Sequence, residues 1–66
     1  MTELLTPKEV ANILKVNYRK VLDMIALGEL RAYRIGRVFR IAESEVYRYL
    51  QSVQIETSVF SSHGIN

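Results

Sequence analysis

The chain has 66 residues, of which 48% are hydrophobic and 24% charged, a composition typical of one small globular domain with a single core. It contains no cysteine and one histidine, which excludes a disulfide framework and a thiolate zinc site. No apolar run is long enough to cross a bilayer, and the N-terminus lacks the basic start and apolar stretch of a signal peptide, so we expect a cytoplasmic protein.

The net charge of +2 is unevenly distributed along the chain. The segment Lys15–Arg40 holds seven basic and two acidic residues, whereas the remaining residues include two basic and five acidic ones. Such a concentration of positive charge is expected of a surface that binds a polyanion.

A helix start signal stands near the N-terminus. Thr6 is a cap residue, Pro7 suits the first helical position, and Glu9 lies where it completes a capping box. The pattern predicts a first helix from about Pro7 to Leu14. Its apolar positions at helical spacing are Val10, Ala11, Ile13 and Leu14.

A second helix is predicted to begin after the cap residue Asn17 and to end at Gly28 as a left-handed cap. Its predicted inner face consists of Val21, Met24 and Ile25. Only Lys15 and Val16 separate the two helices, and so short a link favours the steep crossing of a helix-turn-helix unit. Other small three-helix domains share this spacing.

Between Leu30 and Ile41 the apolar residues alternate with polar ones, which predicts a β-hairpin around Gly36. We predict an odd-length loop, from about Gly36 to Val38. This loop pairs Ile35 with Phe39 and Tyr33 with Ile41 on one face, and it places Arg34 opposite Arg40 on the other. Opposed arginines repel, so we interpret them as a surface for a phosphate backbone or a narrow minor groove. The alternative interpretation is a basic edge that prevents strand aggregation.

A third helix is predicted to begin at Glu43–Glu45 and to close the core with Val46, Tyr49, Leu50 and Val53. The predicted fold is mainly α with a small β-hairpin, in the order α-α-β-β-α of a winged helix-turn-helix. Residues 1–53 form this domain, and residues 54–66 are predicted to be a flexible C-terminal tail, with a short strand at Ile55–Phe60 as the alternative.

Two groups of side chains are predicted to contact double-stranded DNA. Arg19 suits a guanine edge, whereas Tyr18 and Lys20 suit phosphates. The alternative is a solvated charged face with Tyr18 in the core. The predicted DNA-binding residues are Asn17, Tyr18, Arg19, Lys20, Arg34, Arg37 and Arg40.

The residues expected of an enzyme are lacking from the sequence. There is no Ser/His/Asp or Cys/His set, no glycine-rich phosphate loop and no cluster of metal ligands, and the single histidine is His63 in the predicted tail. Glu43 and Glu45 are better explained as helix-start residues than as a catalytic pair. We therefore predict no catalytic activity, no cofactor and no metal.

Three stretches together resemble the excisionase family of DNA-binding domains, minimal relatives of the MerR-like winged helix-turn-helix group. They are Leu4–Ala11, Gly28–Leu30 and Ala32–Ile41, and the resemblance covers roughly Leu4 to Leu50. It implies a recognition helix, Asn17 to Leu27, in the major groove and a wing, Arg34 to Arg40, on the adjacent minor groove. Members act as recombination directionality factors that bend DNA beside an integrase, or as transcription regulators.

The chain departs from that family at two positions. The turn between the helices usually carries glycine where this chain has Lys15, which must then adopt a strained or adjusted backbone. The family often has a basic residue where this chain has Asp23, which we expect either to orient Arg19 or to accept a hydrogen bond from a cytosine amino group. The implied partners are double-stranded DNA and either an integrase or further copies of the chain. The remaining alternative, from another class, is a protein-interaction adaptor.

Overall fold

The structure is a computed structural model that describes residues 3–55. These residues form a three-helix domain with a small antiparallel sheet. The elements are β1 (Leu4–Leu5), α1 (Pro7–Leu14), α2 (Tyr18–Ala26), β2 (Tyr33–Ile35), β3 (Val38–Ala42) and α3 (Glu43–Ser52). The predicted order of helices and hairpin strands is therefore confirmed as a winged helix-turn-helix arrangement, with β1 as an unpredicted addition.

The capping box at the start of α1 forms as predicted. The Glu9 backbone N–H donates to the Thr6 hydroxyl at 3.0 Å, and the Thr6 N–H donates to the Glu9 carboxylate at 2.8 Å. Val10 and Ala11 face the core, but Ile13 is 51% exposed. The expectation that Ile13 is an inner residue was wrong, because the face of α1 that meets the core is narrower than its apolar pattern.

Lys15 ends α1 in the left-handed region, with φ 59° and ψ 40°. This geometry lets the Val16 N–H donate to the Ala11 carbonyl at 3.0 Å and turns the chain sharply into α2. A left-handed backbone costs a residue with a Cβ atom roughly 1–2 kcal/mol. The sequence expectation of a strained turn at Lys15 is thus confirmed.

Replacing Lys15 with glycine is expected to stabilise the domain by about 1 kcal/mol. The gain arises because glycine adopts a positive φ without steric cost. It is partly offset because glycine loses more backbone entropy on folding than lysine does. Thermal unfolding measures it as a rise in Tm of roughly 4–8 °C. Lys15→Ala is the matched control, since it removes the same charge but keeps the Cβ atom. Equal Tm values for the two variants would contradict the interpretation that the backbone at Lys15 is strained.

Both ends of α2 follow the sequence prediction. The Asn17 side-chain oxygen accepts the Lys20 N–H at 2.8 Å, and Gly28 follows the helix with φ 79°. Beyond Gly28 the Leu30 N–H donates to the Met24 carbonyl at 3.2 Å, which brings the fully buried Leu30 back onto the core.

The sheet has the strand order β1-β3-β2, with antiparallel neighbours. Leu5 of β1 pairs with Ile41 at the centre of the sheet, and the Glu43 N–H donates to the Glu3 carbonyl at 2.8 Å. A two-residue strand is too short to show an alternating pattern, which explains why β1 was not predicted.

Eight buried residues form the core of the described part of the chain, and they come from every element except β2 and from the α2–β2 loop. They are Leu5, Val10, Ala11, Val21, Met24, Leu30, Ile41 and Val46. Tyr49 packs against this cluster, but Leu50 and Val53 are 43% and 50% exposed. The predicted closure of the core is confirmed for Val46 and Tyr49 and wrong for Leu50 and Val53, because the end of α3 extends past the core.

A charged clamp joins α3 to the loop before β2. The Glu45 carboxylate accepts the Arg31 backbone N–H and the Arg48 Nε, each at 3.0 Å. Arg48 also donates to the Glu29 carbonyl at 3.2 Å. Hydrogen bonding from Arg48 lowers the pKa of the Glu45 carboxyl below its ordinary value, against the opposing effect of burial.

Glu45→Gln is expected to lower the free energy of unfolding at pH 7 by about 1 kcal/mol, since it removes the charge from these hydrogen bonds. Because the folded-state pKa of Glu45 lies below its ordinary value of 4.5, this stabilisation is complete above that pH. It is lost as the pH falls through the lowered pKa. Urea unfolding of both proteins from pH 7 to pH 3 tests this.

Glu43→Gln is the matched control, because Glu43 is an exposed acidic residue in the same first turn of α3. The clamp predicts that Glu45→Gln destabilises the domain more than Glu43→Gln at pH 7, and that the difference closes in acid. If the difference in unfolding free energy between the two variants does not change with pH, the effect of Glu45→Gln comes from packing and not from the charge of Glu45.

Residues 3–55 include no helix long and apolar enough to cross a membrane. Most of the predicted tail, residues 56–66, lies outside the described residues, and so does nearly all of the alternative strand at Ile55–Phe60.

Candidate nucleic-acid interface

The hairpin turn contains two residues, Gly36 and Arg37, and Ile35 pairs directly with Val38. The predicted three-residue loop was therefore wrong. Gly36 has φ 64°, whereas Arg37 has no positive φ, which is the combination used by a type II′ turn. This turn matches the right-handed twist of two antiparallel strands, so glycine at its first central position sets the register.

The pairing of the hairpin arginines also differs from the prediction. Arg34 lies opposite Phe39, and Tyr33 lies opposite Arg40, so Arg34 and Arg40 are on opposite faces. All three residues of β2 are exposed, so burial does not determine which of its faces points inward. Where neither face is buried, the turn alone decides the register, and the alternating pattern led to the wrong one.

Arg34 and Arg40 are each held by the hairpin itself. The Arg34 guanidinium lies 5.5 Å from the centre of the Phe39 ring, and its Nε donates to the Gly36 carbonyl at 3.3 Å. Arg40 donates from Nη1 to the Phe39 carbonyl at 2.8 Å and is half-buried. These contacts limit the orientations of both side chains, whereas Arg37 is exposed at the tip.

The first turn of α2 presents exposed polar side chains. Tyr18 is 46% exposed, so the alternative that places it in the core was wrong. The Arg19 side chain is 83% exposed, with its Nε 3.8 Å from the Asp23 carboxylate. An exposed pair of this kind contributes little to stability but biases the direction of the arginine. Asn17 uses its side-chain oxygen as the helix cap, which leaves the amide nitrogen for other contacts.

A groove of about 430 Å³ separates the hairpin from the two helices of the helix-turn-helix unit. Its lining residues are Thr6, Pro7, Lys8, Tyr18, Leu22, Arg37, Val38, Phe39 and Arg40. Three predicted site residues, Tyr18, Arg37 and Arg40, therefore meet around one opening. The other four predicted residues do not line it.

Lys8 is a groove residue that is not among the DNA-binding residues predicted from the sequence. It is exposed in the first turn of α1, between Pro7 and Glu9 of the helix start signal. Its positive charge was the available signal, but only the tertiary structure places it beside the hairpin.

The electrostatics of the interface are those of a cationic surface. Within residues 3–55, ion pairs join Arg19 to Asp23 and Arg48 to Glu45, so none of the hairpin arginines is paired with a carboxylate there. The same part of the chain contains no group of three His, Asp or Glu side chains placed to hold a metal ion. The positive charge of the hairpin is thus available to an external anion.

The family model for the helix-turn-helix domain matches residues 4–54 of this chain. The chain belongs to this helix-turn-helix family. The match spans the whole stretch that resembles excisionase-like domains, so that resemblance is confirmed at the level of the family. A helix-turn-helix domain of this family is a non-enzymatic kind of domain.

Curated relatives of this helix-turn-helix chain come from two bacteria. It is 39% identical over 61 residues to the Mycobacterium tuberculosis proteins named "Putative DNA-binding protein Rv0500A" and "Putative DNA-binding protein MT0521", covering 92% of this chain and 72% of each relative. It is 37% identical over 54 residues to "Uncharacterized protein YvgK" of Bacillus subtilis, covering 82% of this chain but only 18% of that protein. No solved structure matches the chain significantly.

Proposed function

We propose that this domain binds double-stranded DNA, with α2 in the major groove and the hairpin, residues 33–42, on the adjacent backbone and minor groove. The observation that carries the proposal is the shared groove, because it places Tyr18 at the start of α2 beside Arg37 and Arg40 of the hairpin. A duplex presents a major groove, a phosphate ridge and a minor groove in that order. The relatives named as DNA-binding proteins support the same function.

In this arrangement the first turn of α2 supplies the sequence-reading contacts. Arg19 extends from the exposed face, and two donors on its planar guanidinium match the O6 and N7 acceptors of guanine. Asp23 biases the direction of Arg19 through their exposed ion pair. Lys20 and the Asn17 amide nitrogen lie beside it and donate to phosphates, which position the helix without reading sequence.

The hairpin supplies the second set of contacts. Arg37, at the second position of the tight turn, reaches deepest into the minor groove, whose negative potential is strongest where it is narrow. Arg34 is oriented by the Phe39 ring and keeps its terminal nitrogens for the backbone. In this arrangement the hairpin contacts the two DNA strands that flank the minor groove.

The role that we propose is that of an excisionase-like recombination directionality factor. One such domain covers a short site, so useful specificity requires further copies bound cooperatively or an integrase bound alongside. A small transcription regulator is the alternative, and it uses the same interface. An integrase gene next to the gene for this chain favours the first role, and its absence favours the second.

An electrophoretic mobility shift tests DNA binding directly. Micromolar protein and an arbitrary 20-base-pair duplex at 50 mM salt are expected to give a shift that weakens steeply as salt rises to 200 mM. The steepness reflects the release of counterions from contacted phosphates. A lack of any shift at low salt would instead favour a protein-interaction adaptor, and a salt-insensitive shift would contradict the proposed electrostatic interface.

A further inference from the structure

We propose that the groove between the hairpin and the helices binds one deoxyribose-phosphate unit of the DNA backbone, and that Lys8 is a phosphate contact. This inference rests on the proposed function and extends it to a specific backbone position. None of the DNA contacts expected from the sequence includes Lys8 or any other residue of α1.

The cations around the groove come from two separate parts of the fold. Lys8 lies on α1, whereas Arg37 and Arg40 lie on the hairpin. Neither hairpin arginine has a carboxylate partner within residues 3–55. Folding gains nothing from bringing three like charges around one opening, but an anion bound between them offsets their repulsion.

Four apolar side chains complete the lining of this groove, namely Pro7, Leu22, Val38 and Phe39. Val38 is 44% exposed, and Leu22 and Phe39 are half-buried, so apolar surface is accessible between the cations. A free inorganic anion would gain nothing from contact with these apolar side chains, which form the floor of the groove. A sugar-phosphate has two chemically different parts, and the C–H groups of deoxyribose suit the floor while the phosphate suits the cations.

The remaining polar groups fit the same ligand. Tyr18 brings a hydroxyl that donates to a phosphate oxygen, and it belongs to the helix proposed to enter the major groove. The bound phosphate would therefore lie on the ridge between the major groove contacted by α2 and the minor groove contacted by Arg37. Lys8 would approach this ridge from the side of α1.

The floor also predicts a preference for DNA over RNA at this position. A ribose in the same place carries a 2′-hydroxyl, and the apolar side chains offer it no hydrogen-bond partner. The penalty is expected at one nucleotide of the contacted strand.

The first test compares Lys8→Ala with Arg31→Ala, a charge-matched control whose side chain lines a different groove. Fluorescence anisotropy with a duplex selected from random sequences gives Kd from 50 to 200 mM salt. Lys8→Ala is expected to raise Kd about 3- to 10-fold and to reduce the slope of log Kd against log salt by about 0.9. Arg31→Ala is expected to leave the slope near the wild-type value. Equal slopes for the two variants would overturn the assignment of Lys8.

The second test locates the phosphate. Duplexes with a neutral methylphosphonate at one backbone position at a time are expected to weaken wild-type binding most at one phosphate, and Lys8→Ala is expected to lose less there than the wild type does. A single ribonucleotide at the adjoining sugar is expected to weaken binding several-fold. Additive effects of Lys8→Ala and every methylphosphonate would refute the groove as the phosphate site. If the effects are additive but the wild type still binds DNA with the expected salt dependence, the proposed function stands and only the phosphate site is refuted. If the wild type does not bind DNA, the proposed function itself is refuted.

Discussion

Arg37→Ala is expected to weaken binding of duplex DNA about tenfold at 100 mM salt and to reduce the salt slope by about one. Arg37 is exposed at the turn, lines the groove shared with Tyr18, and has no carboxylate partner within residues 3–55. Its full charge is therefore free to interact with phosphates. The loss is expected to grow on duplexes with a narrow A/T-rich minor groove, where the local potential is most negative.

Arg31→Ala again serves as the control for Arg37→Ala, because it removes one positive charge away from the groove. The hydrogen bond from Arg31 to Glu45 uses the Arg31 backbone N–H, so this variant keeps the hydrogen bonds of the clamp. Arg37 is the exposed second residue of the turn, so its substitution is expected to leave Tm within about 2 °C of the wild type. Equal affinities of the two variants for DNA would show that the hairpin tip makes no special contact.

Ile41→Ala is expected to destabilise the domain by about 3 kcal/mol, within the range of 2–5 kcal/mol found for buried isoleucine truncations. Ile41 is fully buried on the central strand β3, where it pairs with Leu5 of β1. A domain of this size has a total stability of only about 3–10 kcal/mol. Chemical unfolding is therefore expected to show a midpoint far below that of the wild type, since a large share of the total stability is lost.

The matched control for this truncation is Ile35→Ala, because Ile35 is 54% exposed on the neighbouring strand β2. Removal of the same atoms from an exposed position is expected to cost less than about 1 kcal/mol. A comparable loss from both substitutions would mean that the outer face of the hairpin is covered by something that residues 3–55 do not include.

The local signals in the sequence predicted local structure well. Thr6 and Glu9 form the capping box, Asn17 caps α2, and Gly28 takes a positive φ. Lys15 adopts the left-handed backbone that the short link between helices requires. Each of these features depends on atoms within a few residues of one another, so composition and spacing contain nearly all the information needed to predict them.

Burial along the helices was predicted less completely. The apolar patterns of α1 and α3 include Ile13, Leu50 and Val53, which the structure leaves exposed. An apolar stripe indicates which side of a helix faces inward, but the extent of burial depends on how far the neighbouring elements reach. In this small domain the core extends along α3 as far as Tyr49, so Leu50 and Val53 lie beyond it.

The sequence by itself determined the winged helix-turn-helix order, the helix ends and a cationic middle segment, because these depend on local geometry and on charge. Only the tertiary structure decided the hairpin register, the pairing of β1 with β3 and the approach of Lys8 to the hairpin. The exposed strand β2 has no buried face to select a register, so the two-residue turn at Gly36 selects it. The groove around Tyr18 joins residues far apart in the chain, and no local pattern records such a contact.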